Sequence, residues 1–253
     1  MNDQKRIDPS LFIGTHYLGK PAEITDKIVH RRIGLVRSFP DFCGKQYDMV
    51  EVGCGSGATM LLMANDFKTC TGIELFAKHR EKYEKLFQEL GTPSNCTFHI
   101  LNIEQEDFPQ KFDRLISFEV IEHLESEESV ARFADLLRTG GLAAISVPNK
   151  WWIFEQHGAK LPLLPWNRVP FFSWLPTPIH ETFANARIYT QKRIKNLLES
   201  HGFQVLKMEY ITAPMDVLKP GRFKSFVVNH FFNTETTKNP LKSTSIFVVA
   251  KKR

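Results

Sequence analysis

The chain has 253 residues, 42% of them hydrophobic, 12% aromatic and 24% charged, so it can bury a full core without disulfides or metals. That balance excludes a disordered segment and a mini-protein scaffold, and no apolar run approaches the roughly 20 residues of a bilayer-spanning helix. The formal charge of +5 is modest, although from Arg187 onward 13 Lys and Arg stand against 4 Asp and Glu. These charges are spread out and read as an ordinary solvated surface, with an anionic substrate, membrane headgroups or nucleic acid as alternatives. Met1 to Arg6 lead into no apolar segment, so no secretory leader is expected and the cytoplasm is the expected compartment. Cys43, Cys54, Cys70 and Cys96 form no C-x-x-C pair and read as buried thiols.

In chain order, Ile24, Ile28 and Leu35 with basic residues between them predict a helix over Ala22 to Phe39, stopped by Pro40. Tyr47 to Val52 predicts a buried strand that runs into Gly53-Cys54-Gly55-Ser56-Gly57, after which Ala58 to Phe67 has helix composition. The alternation continues with strand Thr69 to Glu74, helix Phe76 to Leu90, strands Thr97 to Leu101 and Phe112 to Phe118, helix Ile121 to Arg138 and strand Leu142 to Val147. Such alternation predicts an α/β fold with a parallel sheet covered on both faces.

After Pro148 the rhythm breaks: Trp151 to Phe183 holds all 4 tryptophans, 4 phenylalanines and 5 prolines. So many rings predict an irregular cap, either packed inward or offering an apolar surface to an acceptor. Helix Thr190 to Ser200 and strands Phe203 to Ile211 and Ser243 to Ala250 follow, the two strands separated by an irregular basic stretch. The expected organisation is one domain, with a leading helical segment over 1–44, a cofactor-binding core over 45–149, an inserted cap over 150–186 and sheet completion over 187–253.

A strand that opens through a glycine turn into a helix offers unpaired N–H groups and lets a ligand approach the main chain closely. By itself Gly53 to Ala58 also satisfies a dinucleotide fingerprint, so NAD and S-adenosylmethionine both remain open at this turn. Glu51 at the strand end favours a cationic ligand and would repel a pyrophosphate. Glu74, closing the next strand, suits a pair of ribose hydroxyls in either cofactor, and Asn102-Ile103 after the third strand places an amide where an adenine edge would lie.

Val50-Glu51-Val52-Gly53-Cys54-Gly55-Ser56-Gly57, Gly72-Ile73-Glu74, Phe112-Asp113, Ser117 to His123, Gly140-Gly141-Leu142 and Ser146-Val147-Pro148-Asn149 occur in an order that resembles the class I S-adenosylmethionine-dependent methyltransferases. The likeness is to their small-molecule and quinone-type group, and it covers residues 45–149 well and 187–211 loosely. It implies a doubly wound seven-stranded sheet with the seventh strand antiparallel, and S-adenosyl-L-methionine as cofactor. It further implies that Glu51, Gly53, Cys54, Gly55 and Gly57 hold the methionine end, Glu74 and Leu75 the ribose, Asn102 and Ile103 the adenine, and Phe118 and Glu119 the methyl pocket. Asn102 stands where many relatives have aspartate.

Methyl transfer from a sulfonium needs alignment and a dry site, and a hydroxyl acceptor also needs a base. His123, Glu119 and His180 are the catalytic candidates, with Glu122 beside them, although first-turn carboxylates are also ordinary helix-start residues. Glu119, Glu122, His123 and a remote His180 resemble the magnesium ligands of small-RNA 2′-O-methyltransferases. The surroundings of His180, Pro178 to Phe183, do not repeat that family's second histidine motif, so no metal is expected. The expected activity is methylation, at oxygen, of a small or lipid-linked acceptor reached with peripheral membrane contact. The rivals are an RNA methyltransferase, an NAD oxidoreductase and a non-catalytic cofactor-binding partner protein.

Overall fold

The structure, a computed structural model, describes residues 12–13, 16–17, 22–155, 157–161, 164–166, 170–216 and 218–253. Two short strands, β1 (Phe12–Ile13) and β2 (His16–Tyr17), pair antiparallel. Helix α1 (Lys27–Ser38) buries Val29, Ile33 and Val36, a spacing that lines one helical face. Ile24 and Ile28, expected on that face, are only half-buried. The Asp26 carboxylate accepts from Glu23 N–H at 2.8 Å just ahead of the helix, and Pro40 follows its end.

The sheet is built from β3 (Gly44–Val52), β4 (Phe67–Glu74), β5 (Cys96–Ile100), β6 (Phe112–Phe118), β7 (Leu137–Pro148), β10 (Phe203–Thr212), β11 (Thr236–Thr237) and β12 (Ser243–Lys252). The strands lie in the order β11-β10-β12-β7-β6-β3-β4-β5. Eight strands therefore replace the seven expected. The additional one is β11, where two residues of the supposedly irregular stretch pair antiparallel with Tyr210 and Ile211. The β3–β4, β4–β5, β3–β6 and β6–β7 pairs are all parallel. Fully buried Met49, Val50, Leu115, Ile116, Ala143 and Ala144 fill the central strands. Each larger side chain there contributes about 1.5–3 kcal/mol by leaving water.

The chain divides into two compact units, Met1–Lys20 with Val147–Ile194 and Glu209–Ile246, and Pro21–Ser146 with Lys195–Met208 and Phe247–Arg253. In the second unit the helices between strands are shorter than the sequence suggests. Helix α2 (Ala58–Leu62) gives way to a 3-10 turn at Ala64–Asp66, and α3 (His79–Glu89) begins three residues late. The helix expected over Ile121 to Arg138 is broken into 3-10 turns at Ile121–His123 and Glu127–Ser129 before α4 (Val130–Leu136). Ser126 interrupts it by accepting the N–H of Glu128, which favours a new helix start over continuation.

In the first unit the aromatic segment is more regular than expected. It contains the hairpin of β8 (Ala159–Leu161) and β9 (Leu164–Trp166), a 3-10 turn at Phe172–Trp174 and helix α5 (Thr177–Phe183). Trp152 and Phe172 are buried, whereas Trp151, Phe171, Trp174 and Ile179 are exposed, so its apolar groups are divided between interior and surface. Helix α6 (Gln191–Ser200) matches expectation, and α7 (Arg222–Phe231) forms where no element was expected.

Candidate cofactor and catalytic site

Strand β3 pairs with β4 on one side and β6 on the other, so chain order reverses between β3 and β6. In open parallel sheets the crevice at the carboxyl ends of such strands is where ligands bind. Here those ends carry Glu51 and the glycine turn, Glu74 and Leu75, and Phe118 and Glu119. The sheet thus brings most of the sequence-predicted residues to one edge of one unit.

The turn is left-handed at Gly53 (φ +70°), Gly55 (φ +55°) and Gly57 (φ +75°), and it closes when Gly57 N–H donates to the Cys54 carbonyl at 2.7 Å. Glycine is required for two separate reasons. A Cβ on Gly53 would lie 2.3 Å from Val120 Cγ2, and one on Gly57 would lie 2.7 Å from the Tyr83 ring, so both sites are closed to side chains by contact as well as by φ. Val120 follows β6, so the first contact also shows that the turn and the β6 end meet across the crevice. Cys54 is buried, and burial pushes its thiol well above the usual range, which leaves it an inert packing group.

Glu74 is 7% exposed. Its Oε2 accepts from Gly55 N–H at 2.7 Å and its Oε1 from Phe76 N–H at 2.9 Å, with His79 Nδ1 at 3.5 Å. Two backbone donors fix the carboxylate, and each oxygen keeps a second lone pair for a hydroxyl donor. Glu51 is 4% exposed and accepts Met60 N–H at 2.9 Å. Burial pushes its carboxyl up to about 8, and the nearby Glu74 charge adds to that rise. Neither acid is paired with a lysine or arginine among the described residues. Two buried carboxyls flanking a left-handed glycine turn therefore await positive charge and hydroxyl donors.

Beyond these, Leu75 is exposed beside Glu74, and Ile103 is buried. Asn102 Oδ1 accepts Glu104 N–H at 3.0 Å, and Asn102 N–H donates to Glu106 at 2.9 Å, so part of the side chain shapes its own turn. Glu119 has positive φ (57°) and is held in that strained conformation from three directions. Its N–H donates to the Ser146 carbonyl at 2.9 Å, its Oε1 accepts Ser146 Oγ–H at 2.9 Å, and Arg32 Nη2 lies 2.7 Å from the same oxygen. The Arg32 guanidinium also sits 5.5 Å from the Phe118 ring. Sequence reasoning missed Arg32, whose only signal was a cation in the predicted leading helix.

Glu122 is wholly buried, and desolvation, with the Glu119 charge second, holds its carboxyl well above the usual carboxylate range. His123 Nε2 lies 3.9 Å from Glu122 Oε1. His180 belongs to the other unit, where its Nε2 lies 2.6 Å from Glu155 Oε2 with both side chains sealed from solvent. Of the four residues that resemble magnesium ligands, Glu119 pairs with Arg32 and His180 with Glu155.

Comparison with known proteins decides the family. The methyltransferase domain family matches residues 27–208, well over half of the chain. The chain belongs to the S-adenosylmethionine-dependent methyltransferases. It is 30% identical over 122 residues to a ubiquinone biosynthesis O-methyltransferase of Paracidovorax citrulli, covering 47% of this chain and 50% of that protein. It is 28% identical over 97 residues to an (S)-coclaurine N-methyltransferase of Papaver somniferum, covering 37% of this chain and 27% of that one. The chain spans about half the length of the first curated relatives it matches. Among solved structures, an S-adenosylmethionine-dependent methyltransferase from Mesorhizobium loti superposes with TM-score 0.59 at 14% identity, covering 91% of this chain and all of that one. This methyltransferase therefore has the family's mostly parallel α/β sheet, with S-adenosylmethionine as the cofactor to which Glu51, Glu74 and the glycine turn must be fitted. They fit it: neither acid has a lysine or arginine partner among the described residues, and the cofactor brings an ammonium, a sulfonium and two ribose hydroxyls.

Proposed function

We propose that this methyltransferase transfers a methyl group to an oxygen of a small, apolar or lipid-linked acceptor. The observation that carries the cofactor half of this reading is the pair of buried acids, Glu51 near the end of β3 and Glu74 at the end of β4, without lysine or arginine partners among the described residues. The bound cofactor supplies an electrophilic methyl group on a positively charged sulfur. Glu51 and the turn from Gly53 to Gly57 hold its methionine end, Glu74 accepts from the two ribose hydroxyls with Leu75 beside it, and Asn102 and Ile103 border the adenine. Phe118 lines the methyl pocket, and Arg32 fixes Glu119 so that the wall beside the reacting carbon does not move. His123 takes the acceptor's proton. Glu119, engaged by Arg32 and Ser146, acts through positioning.

The oxygen acceptor is supported by the ubiquinone-pathway relatives, and residues 150–186 are proposed to select it. A nitrogen acceptor is the second reading, supported by the likeness to the coclaurine enzyme; there an amine that is already neutral needs no base. The two separate in one experiment. Radiolabelled methyl transfer is followed to a catechol-type quinone precursor and to a secondary amine, each with the parent and with His123→Ala. Methylation of the phenol, with turnover reduced about 10²-fold or more in His123→Ala at unchanged cofactor affinity, is the expected result. Transfer to the amine alone, insensitive to His123→Ala, overturns the oxygen reading.

A further inference from the structure

Helix α7 (Arg222–Phe231) has no buried residue. Lys224, Val227 and Val228 are half-buried on its inner side, and Lys224 Nζ is tied to Asp216 at 2.8 Å. The outer side carries Phe223, 69% exposed, and Phe226, 53% exposed, with His230 one turn beyond. Phe231, also 53% exposed, closes the helix and lies 6.3 Å from the Phe226 ring. Lys242 Nζ sits 5.8 Å from the Phe231 ring, and its neighbour Leu241 is exposed as well. The result is a ridge of neighbouring aromatic side chains, unlike the singly scattered apolar groups of an ordinary surface.

The charge around this ridge selects an occupant. Between Leu218 and Lys242 there are 5 Lys and Arg and one acid, Glu235, and the helix itself contains no Asp or Glu. Lys219, Arg222 and Lys238 are exposed. Rings that project from an exposed helix face insert between lipid headgroups, while flanking cations remain at headgroup level and attract anionic lipid. We propose that the outer face of α7, with Phe231, Leu241 and the surrounding cations, docks this enzyme on an anionic lipid surface. Contact is peripheral, since no helix among the described residues is long and apolar enough to cross a membrane. The proposal rests on α7 and not on the acceptor assigned above.

Vesicle co-sedimentation of the full chain, without cofactor or acceptor, tests it. Vesicles of phosphatidylcholine alone are compared with vesicles in which about a third of the lipid is phosphatidylglycerol. The expected result is pelleting with the anionic vesicles only, weakened by salt. Binding should fall about tenfold or more in F223S/F226S/F231S and in K219E/R222E/K238E, both folded by circular dichroism. Equal pelleting by parent and phenylalanine variant, or none by the parent, overturns the proposal. So does a concentration-dependent dimer that the phenylalanine variant abolishes, because the ridge would then be a contact between copies. Cofactor titration of the same samples keeps this outcome separate from that of the methyltransferase reading.

Discussion

Glu51 is a carboxyl sealed in the fold without a cationic partner among the described residues, and that makes its ionisation a measurable burden. Its folded value of about 8 lies above the ordinary 4.5, so the folded state binds a proton that the unfolded state has released. Stability is therefore fully present below about pH 4.5, falls as pH rises through the interval to about 8, and stays at the reduced level above it. Glu51→Gln removes this loss. Its melting temperature should exceed that of the parent by a few degrees near pH 8, with the difference shrinking toward pH 5. A difference independent of pH in thermal scans would mean that the carboxyl is not the group titrating. Glu74 predicts a complementary outcome. Glu74→Gln retains the shape but loses charge-assisted bonds, so affinity for S-adenosylhomocysteine should fall about 10- to 100-fold by calorimetry. Arg32→Ala leaves Glu119 without its cation beside a second carboxyl. Unfolding in urea should show a loss of about 3 kcal/mol at neutral pH.

At the level of elements, what the sequence revealed depended on where each element buries its apolar side. Phe112–Phe118 was legible to the residue because it is a short, largely apolar run, buried at nearly every position as a central parallel strand requires, that follows Pro109. Glu51 and Glu74 were legible as site residues because strand ends place them. Helix α7 escaped notice because its regular phenylalanines face outward, whereas helical periodicity is ordinarily read as a core-facing stripe. Arg32 escaped because its partner, Glu119, is brought to it only by the packing of α1 on the sheet. The glycine turn was legible, but the reason for its first glycine was not: Val120, from a different strand end, occupies the space above Gly53. Gly53→Ala should therefore destabilise the fold by about 2–4 kcal/mol, through backbone strain and overpacking together. Val120→Ala in the same chain should recover part of that loss, and simple additivity of the two changes would argue against the contact.

For the whole molecule, the sheet class and cofactor family were readable from the order of elements, while strand number was not. A two-residue strand such as β11 has no periodicity to detect. The net charge of +5 is small, and the basic excess of the last third is distributed over α6, α7, β12 and the stretches between them. Binding to a short RNA should accordingly be absent at about 150 mM salt in a gel shift; tight binding that weakens steeply with salt would revive the RNA reading.

The pairing of β11 with only Tyr210 and Ile211 has a consequence for solubility. Without it β10 would be the bare margin of the sheet along its whole length, a row of backbone donors and acceptors able to template pairing with another chain. Thr236–Thr237 act as a short clasp over one end of that margin, and Lys207 with Glu209 discourage stacking along the rest. Insertions that pull the clasp away should therefore show themselves first as turbidity on storage, before any loss of catalysis.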